Sequence, residues 1–214
     1  MSNPDACAPG GARVGLAAAD PARHSPAVDA FSYLSVLLSI ILGLAITQVL
    51  AGYRALLLAR ARVTLYWPTL IWSVLILLMA TQNWWASFGL ATRGDWYFGA
   101  FATILVQVVL LYMLAAIVLP DMPHGETVDL RAHYYREQRP FFGIAAALIV
   151  SSIAKDVILD GTLPKPANLA FHLLFWAASV VAIVVKSPRY HELLAPVMAV
   201  ILGSYVTLLF ARLA

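Results

Sequence analysis

Apolar residues in this chain come in long unbroken blocks rather than in the alternations or short stripes of a water-soluble fold. Between successive charged residues, uncharged runs cover 30–53, 63–92, 96–120, 140–154, 166–185 and 193–211. A helix that crosses about 30 Å of hydrocarbon needs roughly 17–25 predominantly apolar residues. All the runs except 140–154 meet that length unaided, and that one must continue past Lys155 to cross. The pattern predicts spans near 31–53, 66–90, 97–119, 140–160, 167–185 and 192–212. Lipid offers backbone amides no partners, so each span is expected to satisfy its own as a helix. A transmembrane β-barrel would alternate polar and apolar positions, and Ser73–Ala80 (SVLILLMA) does not. The expected fold is all-α, a polytopic bundle of about six spans over residues 31–214, behind a disordered tail at 1–30.

Composition sharpens this reading. The chain is 62% hydrophobic and only 12% charged, against about 25% charged residues in an ordinary soluble domain. The net charge of +3 does not indicate a nucleic-acid partner, because the basic residues sit singly between apolar runs rather than in a stripe. They serve better as topology signals. Arg54, Arg60, Arg62, Arg131, Arg136, Arg139, Lys186 and Arg189 fall on one side of the predicted bundle. Arg23, Arg93, Lys165 and Arg212 fall on the other, with Lys155 arguable. The richer side is expected to be cytoplasmic, which puts both termini outside. Tyr66 with Trp67, Trp84 with Trp85, and Trp96 with Tyr97 lie at span ends, where amphipathic rings prefer the headgroup level. Cys7 is the single cysteine, so no internal disulfide is possible. The apolar stretch Val14–Ala19 is shorter than a signal-peptide core of about 7–15 residues. The tail is expected to stay uncleaved, with the first span as the targeting element.

The first span carries a stripe of small residues at every fourth position: Ser35, Ser39, Gly43, Thr47 and Ala51, continued by Ala55 and Ala59. Helices in lipid associate by close backbone approach over such residues. The stripe is therefore expected to be a packing seam inside the molecule, with a subunit interface or a pore-lining face as the alternatives.

Three segments carry a resemblance to known proteins: Phe31–Gln48 (FSYLSVLLSIILGLAITQ), Tyr66-Trp67-Pro68 with Trp72, and Gln82–Leu90 (QNWWASFGL). Over about the first half of the chain they resemble a family of small, uncharacterised bacterial multi-pass inner-membrane proteins. The resemblance implies an inner-membrane setting and brings no catalytic or binding residues with it.

Polar groups at membrane depth are costly and mark candidate sites. At 1.5 Å per residue, Gln82 and Asn83 lie roughly 24 Å along the second span, and Gln107 about 15 Å in from Tyr97. If the fourth span runs to residue 160, Lys155 and Asp156 enter the outer leaflet. A helix beginning near Tyr135 would instead lift Asp156 and Asp160 toward water. Ser152, Asp156 and Asp160 share a face, whereas Lys155 projects about 100° away and is not expected to pair with Asp156. His172 lies roughly 8 Å inside the fifth span, and Ser204 reaches a similar level in the sixth. Gln82, Asn83, Lys155, Asp156 and His172 are the candidate lining of an outward-facing polar pocket, with Gln107 beneath. The competing reading scatters them: Lys155 snorkels to the headgroups and His172 makes one helix contact.

The connection 121–139 holds His124, Glu126, Asp129, His133 and Glu137, residue types able to ligate a metal. Its expected form is nevertheless an interfacial helix with Leu130 and Tyr134 toward lipid, and no metal is expected. No HExxH site, phosphate-binding glycine loop or nucleophile elbow occurs. Only His172 is expected within a span, which disfavours a haem held between two histidines. The sequence thus predicts no enzyme and no cofactor. It predicts a small-solute or ion channel or transporter, or alternatively a non-catalytic membrane partner or assembly subunit. The implied partners are the lipid bilayer and either further copies of the chain or another membrane protein.

Overall fold

A computed structural model describes residues 26–91, 96–122 and 126–210. Most of the expected tail, together with Cys7, Arg93, His124 and Arg212, lies outside the described residues. The protein is an all-α bundle with six helices long and apolar enough to cross a bilayer. They are α1 (Pro26–Leu58), α2 (Trp67–Ala86), α3 (Phe98–Val118), α4 (Leu130–Asp160), α5 (Pro166–Val184) and α6 (Pro188–Tyr205). A 3-10 turn, Ser87–Leu90, prolongs α2, and a π turn, Val206–Phe210, prolongs α6.

Besides α1, which extends beyond the expected 31–53 at both ends, the starts of α4 and α6 differ from expectation, both for the same reason. Charged and aromatic residues next to a span continue its helix outward instead of ending it. α4 begins at Leu130 rather than 140 and runs 31 residues, about 46 Å. Its start is set by Asp129, whose carboxylate accepts the Arg131 amide at 2.8 Å. Pro140 sits inside it and removes one backbone hydrogen bond without ending the helix. Gly161, with φ 68°, ends α4 in the left-handed conformation, its amide donating to Val157 O at 2.9 Å. Such a φ suits glycine, which has no Cβ to clash. Likewise α6 begins at Pro188, which brings His191 into a helix. His133, His172 and His191 therefore all lie in membrane-length helices, not His172 alone.

Helices α2, α3, α4, α5 and α6 form a closed ring in which α6 packs back on α2. α1 stands outside the ring, against α2 and α3. Its buried face is Leu34, Leu38, Leu42, Ala45 and Val49, a row at helical spacing on the side opposite the small stripe. Gly52 allows the closest approach, since a Cβ there would meet Leu119 Cδ1 at 2.6 Å. Tyr53 and Ser73 share a hydrogen bond at 2.7 Å and tie α1 to α2. The stripe is consequently not a seam inside the molecule. Ser39, Gly43, Thr47 and Ala51 are exposed, Ser35 is half-buried, and nothing lies within 4 Å of a Cβ placed on Gly43. Bulky Leu and Val take the inward positions, where they make more dispersion contacts than small residues can.

The two ends of the ring are built differently. At one end, loops 59–66 and 119–129 meet through a short parallel pair, Val63–Thr64 (β1) with Val128–Asp129 (β2). Leu130 and Tyr134, expected to face lipid, are buried here, at 0% and 7% exposure. Tyr134 packs edge-on against Tyr66 and Phe142 and shares a 3.0 Å hydrogen bond with His191 Nδ1. The interfacial helix is thus the first part of a span, and its apolar face turns into the bundle. At the other end Tyr97 donates to Ile158 O at 2.5 Å, joining the start of α3 to the end of α4. These are called below the His191 end and the Asp160 end.

Candidate functional site

Inside the ring lies a cavity of about 350 Å³, within the roughly 300–1,000 Å³ of small-molecule sites. Gln82, Asn83, Gln107, Lys155, Asp156 and His172 all line it. They come from α2, α3, α4 and α5, so sequence-distant polar groups at similar depth turn toward one another. Ser152 and Asp160 line it too, as the shared face with Asp156 requires.

The polar part occupies the Asp160 end, in successive levels. Lys155 Nζ and Asp156 Oδ1 are 3.8 Å apart, with side chains 24% and 22% exposed. This corrects the expectation that the two would not pair. Their Cβ atoms diverge, but the flexible lysine stem bends its ammonium back to the neighbouring carboxylate. The stem does not carry it outward to the headgroups, because Lys155 faces the cavity.

About one turn deeper along α4, His172 joins α5 to α4. Its Nδ1–H donates to Asn168 O at 2.8 Å, since a carbonyl can only accept, and Nε2 shares a 3.0 Å hydrogen bond with Ser152 Oγ. Asn168 also accepts, at Oδ1, the Tyr205 hydroxyl at 3.0 Å, and the Gln82 amide reaches the same phenol. A belt of neutral hydrogen bonds thus links α2, α6, α5 and α4 around the cavity.

Deeper still, Gln107 is 8% exposed and lines the cavity without a hydrogen-bond partner among the described residues. Beyond it the walls are apolar: Leu111, Leu114, Phe175 and Leu75, with Trp72. On the far side of Trp72 a void of about 10 Å³ lies among Ile117, Gln138 and Phe142, at the lower limit for one water. The cavity therefore has a charged upper end, a neutral polar middle and an apolar floor.

Asn168 and Tyr205 were not among the sequence candidates. Asn168 precedes His172 by one helical turn, and that spacing was the available signal. Tyr205 carried none, since a tyrosine near a span end reads as part of the interfacial belt. Ser204, expected at this depth, instead bonds its own helix at Val200 O, 2.8 Å away.

Among the described residues of 121–139, Asp129, His133 and Glu137 have structural partners. Asp129 caps α4. His133 bonds Ile117 O through Nε2 at 3.0 Å and Arg136 through Nδ1 at 3.1 Å. Glu137 pairs with Arg136 at 3.0 Å. Among the described residues no three His, Cys, Asp or Glu side chains are grouped to hold a metal ion.

Comparison of the chain with protein-family models, curated proteins and solved structures finds no match. The class of protein defined by the fold is a multi-pass helical membrane protein with an internal, partly charged cavity.

Proposed function

We propose that the protein is a small-solute transporter whose binding site is the cavity inside the α2–α6 ring. The observation that carries this reading is the meeting of six membrane-depth polar residues from four helices on one cavity that stops at Trp72. Polar groups placed in hydrocarbon persist where they line a pathway for ions or solutes. A floor closed by Trp72, Leu111 and Leu114 suits a carrier occluded on one side better than an open channel. With the Asp160 end outward, as the distribution of Lys and Arg indicates, the cavity serves uptake from or release to the outside of a bacterial inner membrane. The work asked of these residues is binding and orientation, not bond chemistry.

The test is flux into proteoliposomes across a panel of K⁺, glycerol and labelled amino acids. One member of the panel should be carried, and Asp156→Asn should reduce its flux at least about tenfold, the loss of one charge-assisted contact. Unchanged flux in that variant removes Asp156 from the mechanism. Absence of flux for the whole panel counts against the transporter reading.

One observation favours a second reading, an assembly subunit. Ser39, Gly43, Thr47 and Ala51 form an exposed row of small side chains on α1, and such rows let helices of two proteins approach closely in lipid. On this reading Gly43→Leu disrupts assembly, seen as a smaller species in native mass spectrometry, while Asp156→Asn changes nothing.

A further inference from the structure

The chemistry of the cavity narrows the class of solute, an inference that rests on the cavity being a solute site. Three charged side chains of α4 line it: Lys155 and Asp156 side by side, and Asp160 one turn farther toward the Asp160 end. Lys155 Nζ and Asp156 Oδ1 are separated by 3.8 Å and are about equally exposed. This is close enough for attraction but too long for a hydrogen bond. The ammonium therefore keeps donors, and the carboxylate keeps lone pairs, for whatever fills the space. A solute with a single charge leaves either the ammonium or the two carboxylates without an opposite charge. A solute carrying both charges on adjacent groups offers a partner to Lys155 and to the carboxylates together. An ammonium and a carboxylate on one carbon have that arrangement.

The rest of the cavity sets what the head is attached to. Below the charges the wall is mixed, with Phe171 and Leu148 beside Ser152, Asn168 and His172, and farther down come Phe175, Leu111 and Leu114, so a long attached group reaches apolar surroundings at the floor. Gln107 adds a neutral polar group to the same space. It is 8% exposed and lines the cavity, so its amide is placed to meet water or a solute atom there.

We propose that the cavity binds an α-amino acid with a large apolar side chain, its ammonium at Asp156, its carboxylate at Lys155 and its side chain directed past Phe171 toward the floor. No covalent step is involved.

The test is equilibrium binding of radiolabelled L-phenylalanine to the full-length protein in lipid nanodiscs. Competitors are unlabelled L-phenylalanine, phenethylamine without the carboxylate, 3-phenylpropanoate without the ammonium, and glycine without the side chain. Each of the last three should compete at least about tenfold more weakly than L-phenylalanine, equivalent to about 1.4 kcal/mol. Asp156→Asn and Lys155→Gln should each weaken L-phenylalanine binding about tenfold. If these variants do not fold, the competition series on the unaltered protein decides alone. A one-charge analogue or glycine competing as well as L-phenylalanine overturns the proposal, as does the absence of saturable L-phenylalanine binding. If L-phenylalanine does not bind but K⁺ or glycerol flux persists and Asp156→Asn abolishes it, the amino-acid proposal fails and the transporter reading stands. If neither binding nor flux is found, both fail.

Discussion

His191 illustrates what one side chain must do in a medium without water. Its Nε2–H donates to Val185 O at 2.7 Å, its Nδ1 accepts from Tyr134, and the residue is 0% exposed. Ala182 lies in the last turn of α5 and Val185 caps its end, where the terminal carbonyls have no partners within their own helix. Gln138 meets them from α4, its Nε2 donating to Ala182 O at 2.6 Å and to Val185 O at 2.8 Å. His133 does the same for Ile117 near the end of α3. Buried helix ends are thus closed by imidazole and amide groups from neighbouring helices, which avoids the cost of unpaired carbonyls. We expect His191→Phe, similar in shape but without hydrogen bonds, to destabilise the protein by roughly 1–3 kcal/mol. Reversible unfolding in mixed micelles measures this, and flux or ligand binding by the remaining folded protein should be unchanged.

Among the elements, α1 shows how a helix divides its two sides. The side facing α3 holds Leu38, Leu42, Ala45 and Val49, with Gly52 pressed on Leu119. The other side holds the exposed small residues. Gly52→Val should therefore cost roughly 1–3 kcal/mol by overpacking, whereas Gly43→Ala should be nearly neutral to the monomer. Thermal unfolding of the two variants in detergent compares them, and equal losses would contradict this division of α1. The stripe was legible in the sequence as a pattern. Its direction was not, because spacing identifies residues that share a face and says nothing about what that face meets. α4 carries the complementary lesson. Its uncharged run of 15 residues, 140–154, marks the hydrocarbon-matched part. Its helix extends to 31 residues because Asp129 and Gly161, a cap at each end, decide where it stops.

At the scale of the whole molecule, the ring encloses a cavity that tapers from charge to hydrocarbon. If the Asp160 end faces outward, as the proposed function has it, a cysteine at Ser152 should be reached from outside and one at Ser179, near the floor, far more slowly. In a Cys7→Ser background the introduced cysteine is the single thiol. Ser152→Cys should be modified in intact cells by a membrane-impermeant thiol reagent, and a binding solute should protect it. Modification of Ser179→Cys at the same rate would mean that the cavity is not closed at Trp72.

The sequence alone determined the solvent of this protein, and from it the class of fold. Six apolar runs cannot be kept in water, and in lipid a backbone has little choice but to coil and satisfy itself. Depth along each helix was legible too, because rise per residue is fixed; that is why Gln82, Gln107, Asp156 and His172 could be named together. Rotation about each axis, and the order of helices around the ring, were decided only by tertiary packing. Those choices turned Lys155 inward to Asp156, put α1 outside the ring with its small residues exposed, and brought Asn168 and Tyr205 to the cavity wall. Hydrophobicity cannot make such choices where every face is apolar and the surroundings are equally so. Shape complementarity and the pairing of the few polar groups make them instead.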